Sequence, residues 1–188
     1  MMFDQSVDKT WTLFLDRDGV INKYRPDDYV KTLDEFEFLD GVLQALAILN
    51  RCFARIIIVS NQQGVGRGIM TQYELDTIHE CMCREVRSHG GDIHAIYTAT
   101  ILEEHDTEGK RKPGLWMAYG AQKDFPDIDF AKSIMVGDSM SDMRFGRNAG
   151  MVTVLIGTSL EVGTEEDDFV DMRYPSLIAF ARATEPSL

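Results

Sequence analysis

The sequence predicts an α/β fold in which one parallel β-sheet is covered by helices on both faces. Short apolar runs that suit buried strands alternate along the chain with longer segments of helical periodicity. Strands that alternate with helices pair in parallel, because each helix carries the chain back across the sheet. The 188 residues are enough for one such domain, spanning 1–188, with a proper hydrophobic core.

Three strands and two helices are predicted before residue 101. The strands are the apolar, β-rich runs at 11–15, 56–59 and 93–100. Val42, Leu46 and Leu49 recur at helical spacing and mark one face of a first helix. Thr71 and Glu74 have the spacing of a capping box, so we expect a second helix to begin there.

The rest of the chain continues the alternation. Further strands are predicted at 133–136 and 151–156. Pro113 suits the first position of a helix that carries Leu115. Ser139 can cap a later helix, and Gly150 can end it. The remaining predictions are a short last helix at 177–183 and a solvated acidic loop at 161–168.

Composition and charge restrict the class of partner. The chain has a net charge of −12, and an acidic surface repels the phosphates of nucleic acids and anionic membranes. Its beginning lacks the pattern of a signal peptide, and no apolar run is long enough to cross a bilayer. An odd number of cysteines, Cys52, Cys81 and Cys83, suits reduced thiols. We expect a cytoplasmic monomer that binds neither nucleic acid nor membrane.

Polar residues gather where the predicted strands end, which is the edge where parallel sheets bind ligands. Asp16 and Asp18 follow the first strand, and Asp138 follows a later one. Two neighbouring carboxylates repel each other unless a cation lies between them. Three carboxyl oxygens suit Mg²⁺, which would allow an acidic protein to accept a phosphate. The alternative is that the aspartates only cap a turn, but Ser60 and Lys112 at two other strand ends favour a catalytic site.

Four segments, in this order, resemble the motifs of the haloacid dehalogenase-like (HAD) phosphatase superfamily. They are Leu-Phe-Leu-Asp-Arg-Asp-Gly-Val at 13–20, Ile-Val-Ser-Asn at 58–61, Arg-Lys-Pro at 111–113 and Val-Gly-Asp-Ser-Met-Ser-Asp at 136–142. The resemblance spans residues 11–156. It implies a Rossmann-like, HAD-like fold and Mg²⁺-dependent hydrolysis of a phosphomonoester.

The resemblance also implies a role for each residue. Asp16 would attack phosphorus and form an aspartyl-phosphate, and Asp18 would act first as general acid and then as general base. The carboxylates of Asp16 and Asp138 and the backbone carbonyl of Asp18 would bind Mg²⁺. Ser60 and Lys112 would hold the phosphoryl oxygens.

Two features of the site region leave alternatives open. Asp142 either binds the metal through water or braces Lys112. The glycine-rich segment 60–68 resembles heptose 1,7-bisphosphate phosphatases and their histidinol-phosphatase relatives, and its alternative is a plain flexible loop. In that resemblance, the substrate-binding residues are Asn61, Gln62, Gln63 and Arg111.

The spacing of the motifs leaves no room for a large cap domain, either between Asp18 and the strand at 56–59 or between 100 and 112. We therefore expect an open site, and the resemblance of segment 60–68 implies a small sugar phosphate such as D-glycero-D-manno-heptose 1,7-bisphosphate as its substrate. These relatives usually carry a zinc loop of three cysteines and one histidine before the third motif, whereas 101–110 has no cysteine. We expect no structural zinc and mobile pocket walls.

Other functions remain as rivals. Histidinol-phosphate phosphatase activity is one, and polynucleotide 3′-phosphatase activity would need a basic groove that the charge of −12 disfavours. A phosphomutase would need a cap, and a non-enzymatic binding module would have lost residues such as Asp16 or Lys112. His79 and Cys83 have a spacing that can bind metal, but we interpret them as an ordinary helix face.

Overall fold

The computed structural model of the chain describes residues 7–26, 28–157 and 168–185. Its centre is a parallel sheet with the strand order β3-β2-β1-β4-β5-β6. The strands are β1 (Thr12–Leu15), β2 (Arg55–Asn61), β3 (Ala95–Ala99), β4 (Ser133–Gly137), β5 (Val152–Ile156) and β6 (Met172–Tyr174). The helices are α1 (Val42–Cys52), α2 (Gln63–Gly66), α3 (Gln72–Ser88), α4 (Trp116–Asp124), α5 (Met140–Ala149) and α6 (Leu177–Thr184).

The strands alternate their side chains between two apolar layers, as the period of a β-strand requires. Leu13 and Ile58 face the layer built from α1, α3 and α6. Phe14, Ile57 and Val59 face the opposite layer, which contains α4 and α5. Every residue of β1 is buried, as expected for a strand with helices on both sides. The predicted fold class is confirmed.

The predicted helix ends are confirmed at α3 and α5. The Thr71 hydroxyl accepts a hydrogen bond from the backbone N–H of Glu74, whose carboxylate accepts one from the backbone N–H of Thr71. Ser139 precedes the first residue of α5, and its backbone N–H donates to the Asp142 carboxylate at 3.2 Å. Gly150 ends α5 in the left-handed conformation at φ 83°, which glycine adopts without steric cost.

The prediction for Pro113 is wrong. Pro113 follows a cis peptide bond after Lys112, and α4 begins only at Trp116. Between them the chain turns back on itself, with the Gly114 N–H donating to the Arg111 carbonyl at 2.7 Å. A Cβ at Gly114 would lie 2.2 Å from the Gly109 carbonyl oxygen. This close approach of two backbone segments occupies the residues that would have formed the first helical turn.

Two further differences concern short or undescribed segments. The strand β6 was not predicted, because its three residues carry no periodic pattern and gain their partners only by pairing with β5. The predicted acidic loop at 161–168 lies, except for Asp168, outside the described residues. Within the described chain no cap domain is inserted, and none of its helices has the length and apolarity needed to span a membrane.

Candidate active site

Lys112 lies at the centre of the edge formed by the carboxyl ends of the strands. Its ammonium nitrogen is 2.8 Å from Asp16 Oδ1 and 2.6 Å from Asp142 Oδ1. It also donates to the carbonyl of Val59 at 2.7 Å. The other oxygen of Asp142 accepts from the Ser139 hydroxyl at 2.6 Å. Of the two roles left open for Asp142, the geometry shows the brace on Lys112.

Three carboxylates meet beside this lysine. Oxygens of Asp16, Asp138 and Asp142 lie within 4.8 Å of one another. Burial and the neighbouring charges raise the pKa of Asp16 to about 7 and the pKa of Asp138 to about 8. When all three carboxylates are ionised, their negative charge exceeds the positive charge of the Lys112 ammonium. The donor set is thus all oxygen and short of positive charge, which fits a hard divalent cation such as Mg²⁺.

Gly19 allows Asp138 to enter this cluster. Its φ is +85°, and a Cβ on this residue would lie 1.8 Å from Asp138 Oδ2. Any side chain there would displace the carboxylate. The glycine of the first motif is therefore required both by the turn that follows β1 and by the close approach of Asp138.

Asp18 lies in a pocket of hydrogen-bond donors, which we call the Asp18 cradle and which consists of Arg17, Asn22 and Gln62. Arg17 Nη2 donates to both carboxylate oxygens, at 2.9 and 2.8 Å. Asn22 adds a bond of 2.8 Å to Oδ1, and Gln62 adds one of 2.6 Å to Oδ2. Burial alone would raise the pKa of Asp18, but the guanidinium and the two amides hold it below its usual range.

The residues at the end of β2 connect the site internally. The Asn61 side chain donates to the Lys112 carbonyl at 3.1 Å and accepts from the Lys112 N–H at 2.9 Å. The Ser60 hydroxyl is buried and accepts from Gln62 at 2.9 Å. Asn61 therefore aligns the backbone of Lys112. Gln62, which belongs to the Asp18 cradle, contacts both Asp18 and Ser60.

Gln63 and Arg111 lie further along the same edge. Gln63 begins the one-turn helix α2 and accepts from the Glu103 N–H at 3.4 Å. The Arg111 guanidinium donates to the Ile101 carbonyl at 3.4 Å. Both contacts are long, so each connects the loop after β3 only weakly to its surroundings. The substrate contacts expected of these two residues stay a prediction.

The cysteine-free loop at 101–110 is held by a carboxylate. Asp106 accepts hydrogen bonds from the backbone N–H groups of Lys110 at 2.9 Å and Arg111 at 2.7 Å. These bonds shape the chain directly before Lys112 and argue against the mobility expected for this wall. Among the described residues, the carboxylate cluster is the one group of histidine, cysteine or acidic side chains that suits a metal ion.

Sequence reasoning missed four residues of this region. Arg17 is fully buried between the two motif aspartates, and Asn22 and His79 are buried nearby. An arginine that directly follows an apolar strand and is flanked by two aspartates is a signal that could have identified Arg17. His79 gains its partner across 62 residues, through the tertiary structure, whereas Asn22 and Asp106 bond to residues four or five positions away.

Known proteins resemble both the sequence and the structure. The HAD-hydrolase-like family model matches residues 109–177. A D-glycero-alpha-D-manno-heptose-1,7-bisphosphate 7-phosphatase from Mycobacterium bovis is 34% identical over 175 residues, which cover 92% of this chain and 90% of that protein. A D-glycero-beta-D-manno-heptose-1,7-bisphosphate 7-phosphatase from Salmonella typhi is 36% identical, with coverage of 88% and 90%.

A solved structure shares the fold. The D,D-heptose 1,7-bisphosphate phosphatase from B. bronchiseptica, in a crystal structure with magnesium and phosphate, is 30% identical and gives a TM-score of 0.79. The match covers 92% of this chain and 96% of that one. Together with the identities above, this shows that the similarity extends over most of the chain. The chain therefore belongs to the HAD superfamily of hydrolases, and it is a phosphatase.

Proposed function

We propose that this phosphatase hydrolyses a small sugar phosphate, with D-glycero-D-manno-heptose 1,7-bisphosphate as its leading substrate and Asp16 as its nucleophile. The observation that carries the proposal is the buried contact of the Lys112 ammonium with Asp16 at 2.8 Å, beside Asp138. It supplies a carboxylate, a cation and an oxygen-rich metal site at one point. The names of the relatives support the choice of substrate.

The first half of the reaction transfers the phosphoryl group to the protein. An oxygen of Asp16 forms a bond to phosphorus while the bond from phosphorus to the sugar oxygen breaks. Asp18 donates its proton to that leaving oxygen, so the sugar departs with a neutral hydroxyl group in place of the phosphate ester. Lys112 and the Ser60 hydroxyl stabilise the negative charge that shifts among the phosphoryl oxygens.

The second half returns Asp16 to its starting state. Asp18, now ionised, takes a proton from a water molecule that attacks phosphorus, and the bond from phosphorus to Asp16 breaks. Inorganic phosphate is the product. The donors of the Asp18 cradle favour the ionised form of this carboxylate, which is the form a general base requires. The first half instead requires that Asp18 take up a proton from solvent before the sugar oxygen leaves.

We propose that Asp16, Asp138 and the backbone carbonyl of Asp18 hold Mg²⁺. Asp142 stays engaged with Lys112 and Ser139. A bound Mg²⁺ supplies positive charge that neutralises both the carboxylate cluster and the substrate phosphate. Because Ca²⁺ takes more oxygen ligands at longer distances than Mg²⁺, we expect Ca²⁺ to inhibit.

The substrate contacts follow from the same edge of the sheet. We propose that Asn61, Gln62 and Gln63 line the substrate side of the site. Arg111, next to Lys112, contributes a cation to recognition of an anionic substrate. We further propose that the protein acts as a cytoplasmic monomer without nucleic-acid or membrane partners, consistent with its net charge of −12.

The proposal is tested by measuring phosphate release from a panel of substrates. The panel contains both anomers of the heptose bisphosphate, histidinol phosphate, other sugar phosphates and an oligonucleotide with a 3′-phosphate. We expect the highest kcat/KM for one heptose bisphosphate anomer with Mg²⁺, and loss of activity with EDTA or Ca²⁺. A higher kcat/KM for an unrelated phosphomonoester would overturn the substrate, and full activity after EDTA treatment would overturn the metal requirement.

A further inference from the structure

His79 lies on α3, far along the chain from the motif residues, yet its side chain reaches the Asp18 cradle. The residue is only 8% exposed. Its Nε2 is 3.2 Å from Arg17 Nη1. A guanidinium only donates hydrogen bonds, so Nε2 must accept, which requires a neutral imidazole with its proton on Nδ1. Burial and the Arg17 charge also favour the neutral imidazole, since they lower the pKa of His79 to about 4.

Arg17 connects His79 to Asp18. Its side chain is fully buried, with Nη1 on the imidazole and Nη2 on both oxygens of Asp18. A planar guanidinium that is held at both of its Nη atoms has one orientation, even though Arg17 Nε is buried without a partner. Without the acceptor on α3, Nη1 would be a buried donor with nothing to bind, and the plane could rotate to find another partner.

We propose that His79 is a positioning residue for proton transfer, because it holds Arg17 in the orientation that aligns Asp18 with the leaving oxygen. The inference rests on the proposed function, in which Asp18 is the general acid. His79 does not touch the substrate in this mechanism and acts only through Arg17. This role would give a function to a histidine that lies outside the four motifs.

Two other roles for His79 fit the structure less well. As a metal ligand with Cys83, it would need a free ring nitrogen facing that thiol. Nε2 is bound to Arg17, Nδ1 carries the proton, and Cys83 packs against the apolar layer of α1. As a plain filler of the core, it would need no polar partner. The neighbouring apolar residues of α3 that fill the core here are Leu75 and Ile78.

The test compares His79→Leu, which removes the acceptor, with His79→Gln, whose side-chain oxygen can replace Nε2. Each variant is assayed on two substrates in the presence of Mg²⁺. One is heptose 1,7-bisphosphate or, if another sugar phosphate of the panel is hydrolysed faster, that compound. The other is p-nitrophenyl phosphate, whose leaving group departs without a proton. The ratio kcat/KM reports the steps up to formation of the aspartyl-phosphate.

We expect His79→Leu to lower kcat/KM on the sugar phosphate on the order of tenfold, a part of what a general acid contributes. On p-nitrophenyl phosphate we expect a change of at most about twofold, because that step needs little proton transfer. His79→Gln should restore most of the loss. Ile78→Ala is the matched control, since it loosens the same helix without removing the acceptor, and it should affect both substrates equally.

An equal loss on both substrates, or no rescue by His79→Gln, would overturn the positioning role. If His79→Leu fails to fold, His79→Asn provides the same comparison, because its amide is polar but too short to reach Arg17. Failure of the proposed function has a different signature. In that case Asp16→Asn would retain activity, whereas failure of this inference leaves Asp16→Asn inactive.

Discussion

Lys112 shows how a single buried residue acquires its role from its neighbours. Burial alone would lower its pKa, but the carboxylates of Asp142 and Asp16 raise it above its usual value. The side chain therefore remains an ammonium inside the protein. Because two carboxylates contact this one ammonium, Asp142 still compensates the buried charge of Lys112 when Asp16 is neutralised. The same reasoning makes the effect of a neutral residue at position 16 predictable.

We predict that Asp16→Asn lowers kcat by about a thousandfold or more while the fold persists. The amide is a poor nucleophile, so no aspartyl-phosphate forms. Because the substitution also removes one of the clustered negative charges, we expect the metal-free variant to unfold at a temperature no lower than that of the wild type. Phosphate release and thermal unfolding by circular dichroism measure the two effects. Asp127→Asn, the same change at an exposed position, should leave activity unchanged, and near-normal turnover by Asp16→Asn would contradict the mechanism.

At the scale of elements, the loop between β3 and α4 is shaped by a few polar contacts. Asp106 caps the backbone of Lys110 and Arg111, and Asn61 holds the backbone of Lys112 from the end of β2. A short loop of this kind places the lysine by hydrogen bonds to its main chain, with little apolar packing of its own. The position of Lys112 should therefore depend on the Asp106 carboxylate and the Asn61 amide.

We predict that Asp106→Ala lowers kcat/KM on the order of tenfold, because a small displacement of a charged group in the site is sufficient for such a loss. The melting temperature should change by only a few degrees, since the loop contributes little to the core. Asp106→Asn retains one acceptor oxygen and should have an intermediate effect. Glu104→Ala removes a carboxylate from the same loop and is the control. Equal activities for Asp106→Ala and Glu104→Ala would show that the capping bonds do not position Lys112.

At the scale of the whole molecule, the buried carboxylates of the active site lower the free energy of unfolding of the metal-free protein. The sheet and its two apolar layers bury the carboxylate cluster, and burial raises the pKa values of Asp16 and Asp138 to about 7 and about 8. In an unfolded chain aspartates titrate near pH 4. Between about pH 4 and about pH 8, the folded metal-free protein binds more protons than the unfolded chain, so its free energy of unfolding falls as the pH rises.

We predict that in EDTA the melting temperature is lower at about pH 8.5 than at about pH 5.5 by several degrees, since about 1 kcal/mol shifts it by roughly 2–4 °C in a protein of this size. Added Mg²⁺ should raise the value at the higher pH, because it binds the ionised cluster of the folded state. Asp138→Asn should make the melting temperature in EDTA change less with pH. Because this variant keeps the acidic surface, it separates the effect of the buried cluster from that of the surface charges. A melting temperature in EDTA that does not fall with pH would contradict the prediction.

Five of the six strands, the ends of α3 and α5 and the residues at the ligand-binding edge could be predicted from the sequence. Periodicity, capping and glycine positions are properties of neighbouring residues, and the parallel sheet then brings distant strand ends together. Asp16, Lys112 and Asp138 could therefore be assigned to one site from their places after strands. The wrong assignment of Pro113 shows the limit, because the approach of Gly114 to Gly109 is not a local property.

The pairing of polar groups within that edge is visible only in the folded structure. Asp142 braces Lys112, Asn61 aligns the main chain of the same lysine, and His79 reaches Arg17 across a separation of 62 residues. The direction of a side chain depends on the packing of the crossover helices and on the donors and acceptors that remain after the sheet has formed. Sequence spacing specifies neither, so the residues that position the catalytic groups appear only once the chain is folded.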